Sequence, residues 1–153
     1  MLSYRVITWD DIDLIYDWNN DPVARNNSFH SNQISKEEHE QWFNEKLHNP
    51  SIFYLIAVYN NQAIALVRYD VKELETTVGI NLSKSYRGLG LSSIILTESS
   101  KLYFSKYDKP LIAYIKKENI ASKKTFEKAG YTFQKEVEIN QFHTLVYIKS
   151  HKL

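Results

Sequence analysis

Apolar and polar positions alternate between Thr76 and Leu82, setting Val78, Ile80 and Leu82 on one face of a β-strand. From Leu91 the period lengthens, and Leu91, Ile94, Ile95, Leu102 and Tyr103 mark a helix reaching about Lys106. The same two periods sort the rest of the chain. Tyr4 to Ile7 reads as a short strand, and Thr8 with Asp10 and Asp11 opens a helix carried by Ile12, Leu14, Ile15 and Trp18. Asp21-Pro22 interrupts that helix. Ser35 to Glu38 is a capping box, followed at helical spacing by His39, Trp42, Phe43 and Leu47, with Pro50 beyond the end.

Two strands, Ile52 to Tyr59 and Ala63 to Val71, flank Asn60-Asn61-Gln62, a hairpin turn by its chemistry. Leu111 to Ile115 is continuously apolar, as expected of a strand buried on both faces. A short helix runs from about Ile120 to Lys128, with Gly130 placed for a left-handed cap. Tyr131 to Ile139 and Thr144 to Lys149 close the chain as strands. The order is strand, two helices, three strands, helix, strand, helix, two strands. It predicts a mixed α/β or α+β sheet with a strand–helix–strand crossover.

The 153 residues hold no linker, repeat or low-complexity stretch, so one domain over 1–153 is expected. Apolar residues make up 43%, enough for a packed core, and 19 basic residues nearly balance 18 acidic ones. That balance argues against a nucleic-acid surface. The chain has no cysteine, which excludes disulfides and thiolate chemistry, and no histidine pair has metal-ligand spacing. No run approaches the roughly 18 apolar residues of a membrane span, and the first residues lack a signal-peptide block. The expectation is a cytoplasmic protein without membrane or metal, monomeric or a homodimer.

Arg87-Gly88-Leu89-Gly90 sits at the strand-to-helix junction. A glycine turn there exposes helical N–H groups without intrahelical partners, which with the helix dipole make a site for phosphate. Arg87 would add charge and Ser92 and Ser93 hydroxyls; a plain tight turn is the bland alternative. A Walker loop would end in Gly-Lys-Ser/Thr, absent here. A dinucleotide fingerprint would need a third glycine where Ser93 stands and a second strand–helix half; only Asp108 suits it.

Arg87-x-x-Gly90-x-Ser92 resembles the acetyl-CoA pyrophosphate loop of the GNAT superfamily of N-acetyltransferases, with Ser92 in place of glycine or alanine. Asn119, Ser122, Phe126, Gly130 and Tyr131 match the family's later motif in register. Trp18, Asp21-Pro22, Arg25 and the Glu38-His39-x-x-Trp42-Phe43 helix are similar to a subgroup holding bacterial amino-sugar and ribosomal-protein N-terminal acetyltransferases.

The resemblance implies a mixed, mostly antiparallel sheet of six to seven strands with about four helices and a central pair that splays. It implies acetyl-CoA as co-substrate, gripped by main-chain groups of Ile80, Asn81 and Leu82, by Arg87, Gly88, Leu89, Gly90, Leu91 and Ser92, and by Asn119, Ser122 and Phe126. Acetyl would pass directly to a primary amine, on a nucleotide-linked amino sugar or other small molecule. A protein N-terminus is the second acceptor, and an inactive CoA-binding module the alternative from another class. Trp18, Asn19, Arg25, Asn27, Ser28 and Trp42 would meet the acceptor.

Phe126 stands where many members carry the tyrosine that protonates the leaving thiolate. Glu75 is the first candidate base, against a solvated charge as its plain reading; His30 and His39 follow, His39 also suiting a packed helix face. Lys116, Lys117, Lys123 and Lys124 cluster where CoA phosphates could reach them.

Overall fold

The computed structural model describes residues 1–151; the last two positions of the expected 1–153 domain lie outside the described residues. Strands β1 (Leu2–Val6), β2 (Ile52–Tyr59), β3 (Gln62–Val71), β4 (Thr76–Leu82), β5 (Leu111–Lys116), β6 (Thr132–Ile139) and β7 (Phe142–Lys149) form one sheet in the order β1-β2-β3-β4-β5-β7-β6. Every neighbouring pair is antiparallel except β4 and β5. Helices α4 (Leu91–Lys106) and α5 (Ile120–Lys128) cover one face, where Val67, Tyr69, Val78, Ile95, Tyr103, Leu111, Ala113 and Phe126 share a core. On the other face, α1 (Ile12–Asn19) and α3 (Lys36–Leu47) pack Ile15, Trp18 and Phe43 against Tyr54, Ile56 and Leu66. The expected mixed, mostly antiparallel sheet is the one observed.

Local chemistry explains most boundaries. Asn60 and Asn61 both adopt positive φ (49° and 64°), giving the two-residue turn that suits right-handed strand twist. Gln62 therefore belongs to β3 and not to the turn. Asn140 and Gln141 repeat the device at 48° and 69°, so β7 begins at Phe142, earlier than the apolar pattern suggests. Ser35 caps α3 by accepting from the Glu38 N–H at 3.2 Å. Ahead of α1, Trp9–Asp11 is a turn of 3₁₀-helix, and the Asp11 carboxylate accepts from the Thr8 N–H while Arg5 grips it with two bonds of 2.8 Å.

The structure corrects the sequence at one break. Asp21-Pro22 ends α1 but also starts a further helix, α2 (Pro22–Asn27). Asp21 accepts from the N–H groups of Val23 and Ala24, and Pro22 takes the first helical position, where its missing N–H is harmless.

The sheet parts at its centre. The strands β4 and β5 are in register only at Thr76–Leu111 and Thr77–Ile112, after which they diverge. The Ser83 N–H points to β3, onto the Ile64 carbonyl, whereas the Thr76 N–H points the other way, onto Pro110. Strand alternation then turns the N–H groups of Ile80 and Leu82 into the wedge between β4 and β5.

Candidate active site

The wedge leads to a cleft of about 570 Å³ between the start of α4 and the side of α5. One wall is Leu82, Gly88, Gly90, Leu91, Ser92 and Ser93; the other is Ala121, Lys124, Thr125, Glu127 and Lys128. Gly88 and Gly90 both hold positive φ, 78° and 74°, and Gly90 is the N-cap of α4. A Cβ built on either would meet nothing within 4 Å. Glycine is needed here for conformation, because only it reaches this region without strain. A cap without a side chain leaves the first α4 N–H groups unpaired by any capping oxygen, at the positive end of a sixteen-residue helix. Gly130 likewise sits at φ 93° after α5, and Asn119 caps α5 by accepting from the Ser122 N–H at 3.1 Å.

These features fit a CoA diphosphate and its extended arm. The glycine loop and the α4 N-terminus are where the diphosphate would lie. The Ile80 and Leu82 N–H groups are where the arm would pair as an added strand.

The cofactor residues named from sequence do not all meet in the cleft. Leu82, Gly88, Gly90, Leu91 and Ser92 line it, Leu89 is exposed and the Ile80 N–H faces the wedge, whereas Asn81, expected beside them, turns its main chain the other way, to β3 in register with Leu66. Phe126 is buried, its ring edge-on to Tyr131 at 5.0 Å between centroids. The Tyr131 hydroxyl is buried without a hydrogen-bond partner among the described residues, and burial pushes its ionisation far up, so it stays neutral. Of the lysine cluster, Lys124 lines the cleft, Lys117 pairs with Glu136, and Lys116 is buried, donating to the Asn26 carbonyl at 2.8 Å over the Phe142 ring.

Arg87 departs from its expected part as a charge on the loop. Its Nη2 meets the Asp21 carboxylate at 2.9 Å, its Nε donates to the Leu82 carbonyl at 3.2 Å, and it does not line the cleft. It ties the glycine loop to the start of α2 and the end of β4. Burial pushes the Asp21 carboxyl up, but Arg87 and the N–H groups of Ala24 and Val23 outweigh it and hold the carboxyl below the usual range. The pair's contribution is complete above about pH 3.9 and is lost as the pH falls through the lower folded value of Asp21. A double-mutant cycle of Asp21→Asn with Arg87→Gln is expected to return a coupling of roughly 0.5–1 kcal/mol. Asp21→Ala should cost more than Asp21→Asn, since alanine also removes the α2 cap, worth about 0.5–2 kcal/mol. Chemical denaturation of the four variants reads both.

On the α1–α3 face, the residues named for the acceptor and for the base take the following places. Trp18 is core, and Trp42 packs with tilted rings against His39 and Tyr54. His39 is 2% exposed and its Nε2 donates to the Ile12 carbonyl at 2.7 Å, so it braces α3 on α1. Arg25 donates to the carbonyls of Asn19, His30 and Asn32, shaping the loop that holds Ser28 and exposed His30. Asn27 is exposed, and Ser28 Oγ accepts from the His30 N–H. Asn19 accepts from Asn81 Nδ2 at 3.0 Å, joining α1 to β4. Glu75 precedes β4, and its charge adds to burial in raising the Tyr114 phenol on β5.

Sequence reasoning passed over Arg68, Thr77 and Tyr114, which stand on this face of the sheet beside the wedge. The signal for Arg68 was a cation inside the apolar run Ala63 to Val71.

No helix is long and apolar enough to cross a membrane, and no acidic or histidine group could hold a metal, among the described residues. No curated protein matches the chain. Solved structures share its fold at low identity. Spermidine N-acetyltransferase from Vibrio cholerae, crystallised with CoA and spermine, superposes with a TM-score of 0.86 at 14% identity, covering 97% of this chain and 95% of its own. AAC(6')-Ib in complex with ribostamycin and coenzyme A gives 0.84 at 17%, covering 97% and 93%. A domain from Methanocaldococcus jannaschii gives 0.85 at 20%, covering 99% of each chain. The family model of the acetyltransferase (GNAT) domain matches residues 2–132. The splayed strands, the glycine loop and this match agree: the chain belongs to the GNAT acetyltransferases and is an acetyl-CoA-dependent N-acetyltransferase.

Proposed function

We propose that this enzyme, working as one domain, acetylates the primary amine of a small molecule, a nucleotide-linked amino sugar being the leading acceptor. The observation that carries the site assignment is the wedge, where Ile80 and Leu82 leave main-chain groups facing the cleft with the glycine loop at its mouth. Acetyl-CoA supplies an acetyl group activated as a thioester. The chain supplies the rest: unpaired α4 N–H groups for the diphosphate, Leu82 and Ala121 on either side of the arm, and the Ile80 N–H for the acyl oxygen. Glu75, ahead of β4 with the neutral Tyr114 phenol within reach of its charge, takes through intervening water the proton that the amine must lose. With phenylalanine at 126, the departing thiolate is protonated by another group or by water.

The experiment is a thermal-shift comparison of acetyl-CoA with NAD, followed by thiol release across a panel of amines. At a hundred times its dissociation constant a ligand adds about 2.7 kcal/mol, or roughly 5–10 °C for a domain of this size. Acetyl-CoA should protect and NAD should not. Protection by acetyl-CoA without thiol release from any amine would favour the inactive module.

A further inference from the structure

The Arg68 side chain lies flat on β4. A Cβ at Gly79 would stand 2.8 Å from its Nη2 and 3.4 Å from both its Cζ and its Nε. Gly79 is the one glycine of the four without positive φ, so this close approach is the reason for it. The guanidinium makes no hydrogen bond or ion pair among the described residues, and its Nε is sealed from solvent. Two register positions explain why no acid of the protein answers it. Asp70, on the same face of β3, is taken by the Tyr54 hydroxyl at 2.7 Å and by Lys46 at 3.3 Å. Thr77, its partner on β4, adds a second buried polar atom, Oγ1, that bonds to nothing among the described residues. A second cation stands near: burial, and then the like charge of Arg68, both work against the Arg25 cation. Two guanidinium groups brought together, with a buried donor left unpaired, make a standing electrostatic cost that a bound anion would offset.

The place matters as much as the charge. Arg68 is in register with Gly79, which precedes Ile80, whose N–H faces the wedge. Neighbouring residues of a strand are about 3.3 Å apart, so an anion held over Gly79 sits beside the residue whose N–H faces the wedge, on the side from which an amine would attack.

We infer that the acceptor carries an anionic group, a carboxylate or a phosphate, close to its reactive amine, and that Arg68 with Thr77 holds it. The inference rests on the acetyltransferase reading and narrows its acceptor to amines unlike polyamines. A guanidinium suits both anions because its fork presents paired N–H donors.

The test measures thiol release with matched amines: alanine against alaninamide, glucosamine 6-phosphate against glucosamine, and spermidine as a polycation. At least one anionic member should exceed its neutral partner by about tenfold or more in kcat/KM. A response confined to the alanine pair assigns a carboxylate, and one confined to the glucosamine pair a phosphate. Arg68→Gln should erase the advantage through KM and leave acetyl-CoA affinity alone. Gly79→Ala, which pushes the guanidinium off β4 while keeping its charge, should weaken it in the same direction and serves if Arg68→Gln does not fold. The preference is also read without turnover, as protection of the CoA-loaded protein against heat by each amine. Equal or better use of the neutral amines or spermidine, or an advantage that survives Arg68→Gln, overturns the inference and leaves the acetyltransferase assignment standing. Failure of acetyl-CoA to bind at all would overturn both, and is separately visible.

Discussion

Gly90→Val is expected to weaken acetyl-CoA binding at least about a hundredfold while leaving the fold intact. The residue stands at φ 74° as the N-cap of α4, and a side chain there meets nothing within 4 Å, so the effect is conformational and not a clash. An L-residue in the left-handed region costs about 1–2 kcal/mol, and β-branching stiffens it further. A domain stable by about 5–15 kcal/mol survives that strain. The loop then relaxes towards negative φ, which turns the first α4 N–H groups away from the cleft. Two charge-assisted hydrogen bonds, each worth about 1.5–3 kcal/mol, would be lost, a fall of at least about a hundredfold in affinity. Calorimetric titration reads the affinity, and circular dichroism confirms the helix. Native helicity with unchanged affinity would move the diphosphate elsewhere.

Where a feature is fixed by neighbours in sequence, the sequence announced it. The Asn60-Asn61 turn, the Ser35 cap and the glycine conformations each depend on a few adjacent residues, and each stands in the structure. Asp21-Pro22 misled because one dipeptide both ends a helix and begins the next. The site was legible in its backbone parts and obscure in its side chains. Whether Arg87 faces a ligand or Asp21 depends on a residue far away in the chain, and no local pattern encodes that choice. His39 was ambiguous for the same reason: helical spacing gave its face, and only the packing of α1 gave its partner, the Ile12 carbonyl. Arg68 is the instructive case, since a cation inside an apolar strand was visible and its meaning was not. It took the register with Gly79 to place the guanidinium beside the wedge.

Replacing Glu75 by glutamine is expected to lower kcat/KM about 10²–10⁴-fold at neutral pH, with little change in acetyl-CoA affinity. A primary amine is largely protonated there, since model amines ionise near 8–10, and only the free base attacks. Glu75 is held just ahead of β4 by the turn in which its carbonyl accepts from the Lys72 N–H at 2.9 Å. Burial and then the Glu75 charge raise the Tyr114 phenol, which puts the carboxylate within electrostatic reach of that ring and keeps the ring a neutral donor. The sign of the pH effect follows. A base matters most while the amine carries its proton, so the variant's deficit should be greatest at low pH and should shrink as the pH rises through the amine's own ionisation. Tyr114→Phe should show a smaller loss of the same shape, because it changes the surroundings of the base and not the base itself. A Glu75→Gln enzyme that keeps full activity from pH 6 to 9 would assign proton removal to water and leave Glu75 a solvated charge at the foot of the wedge.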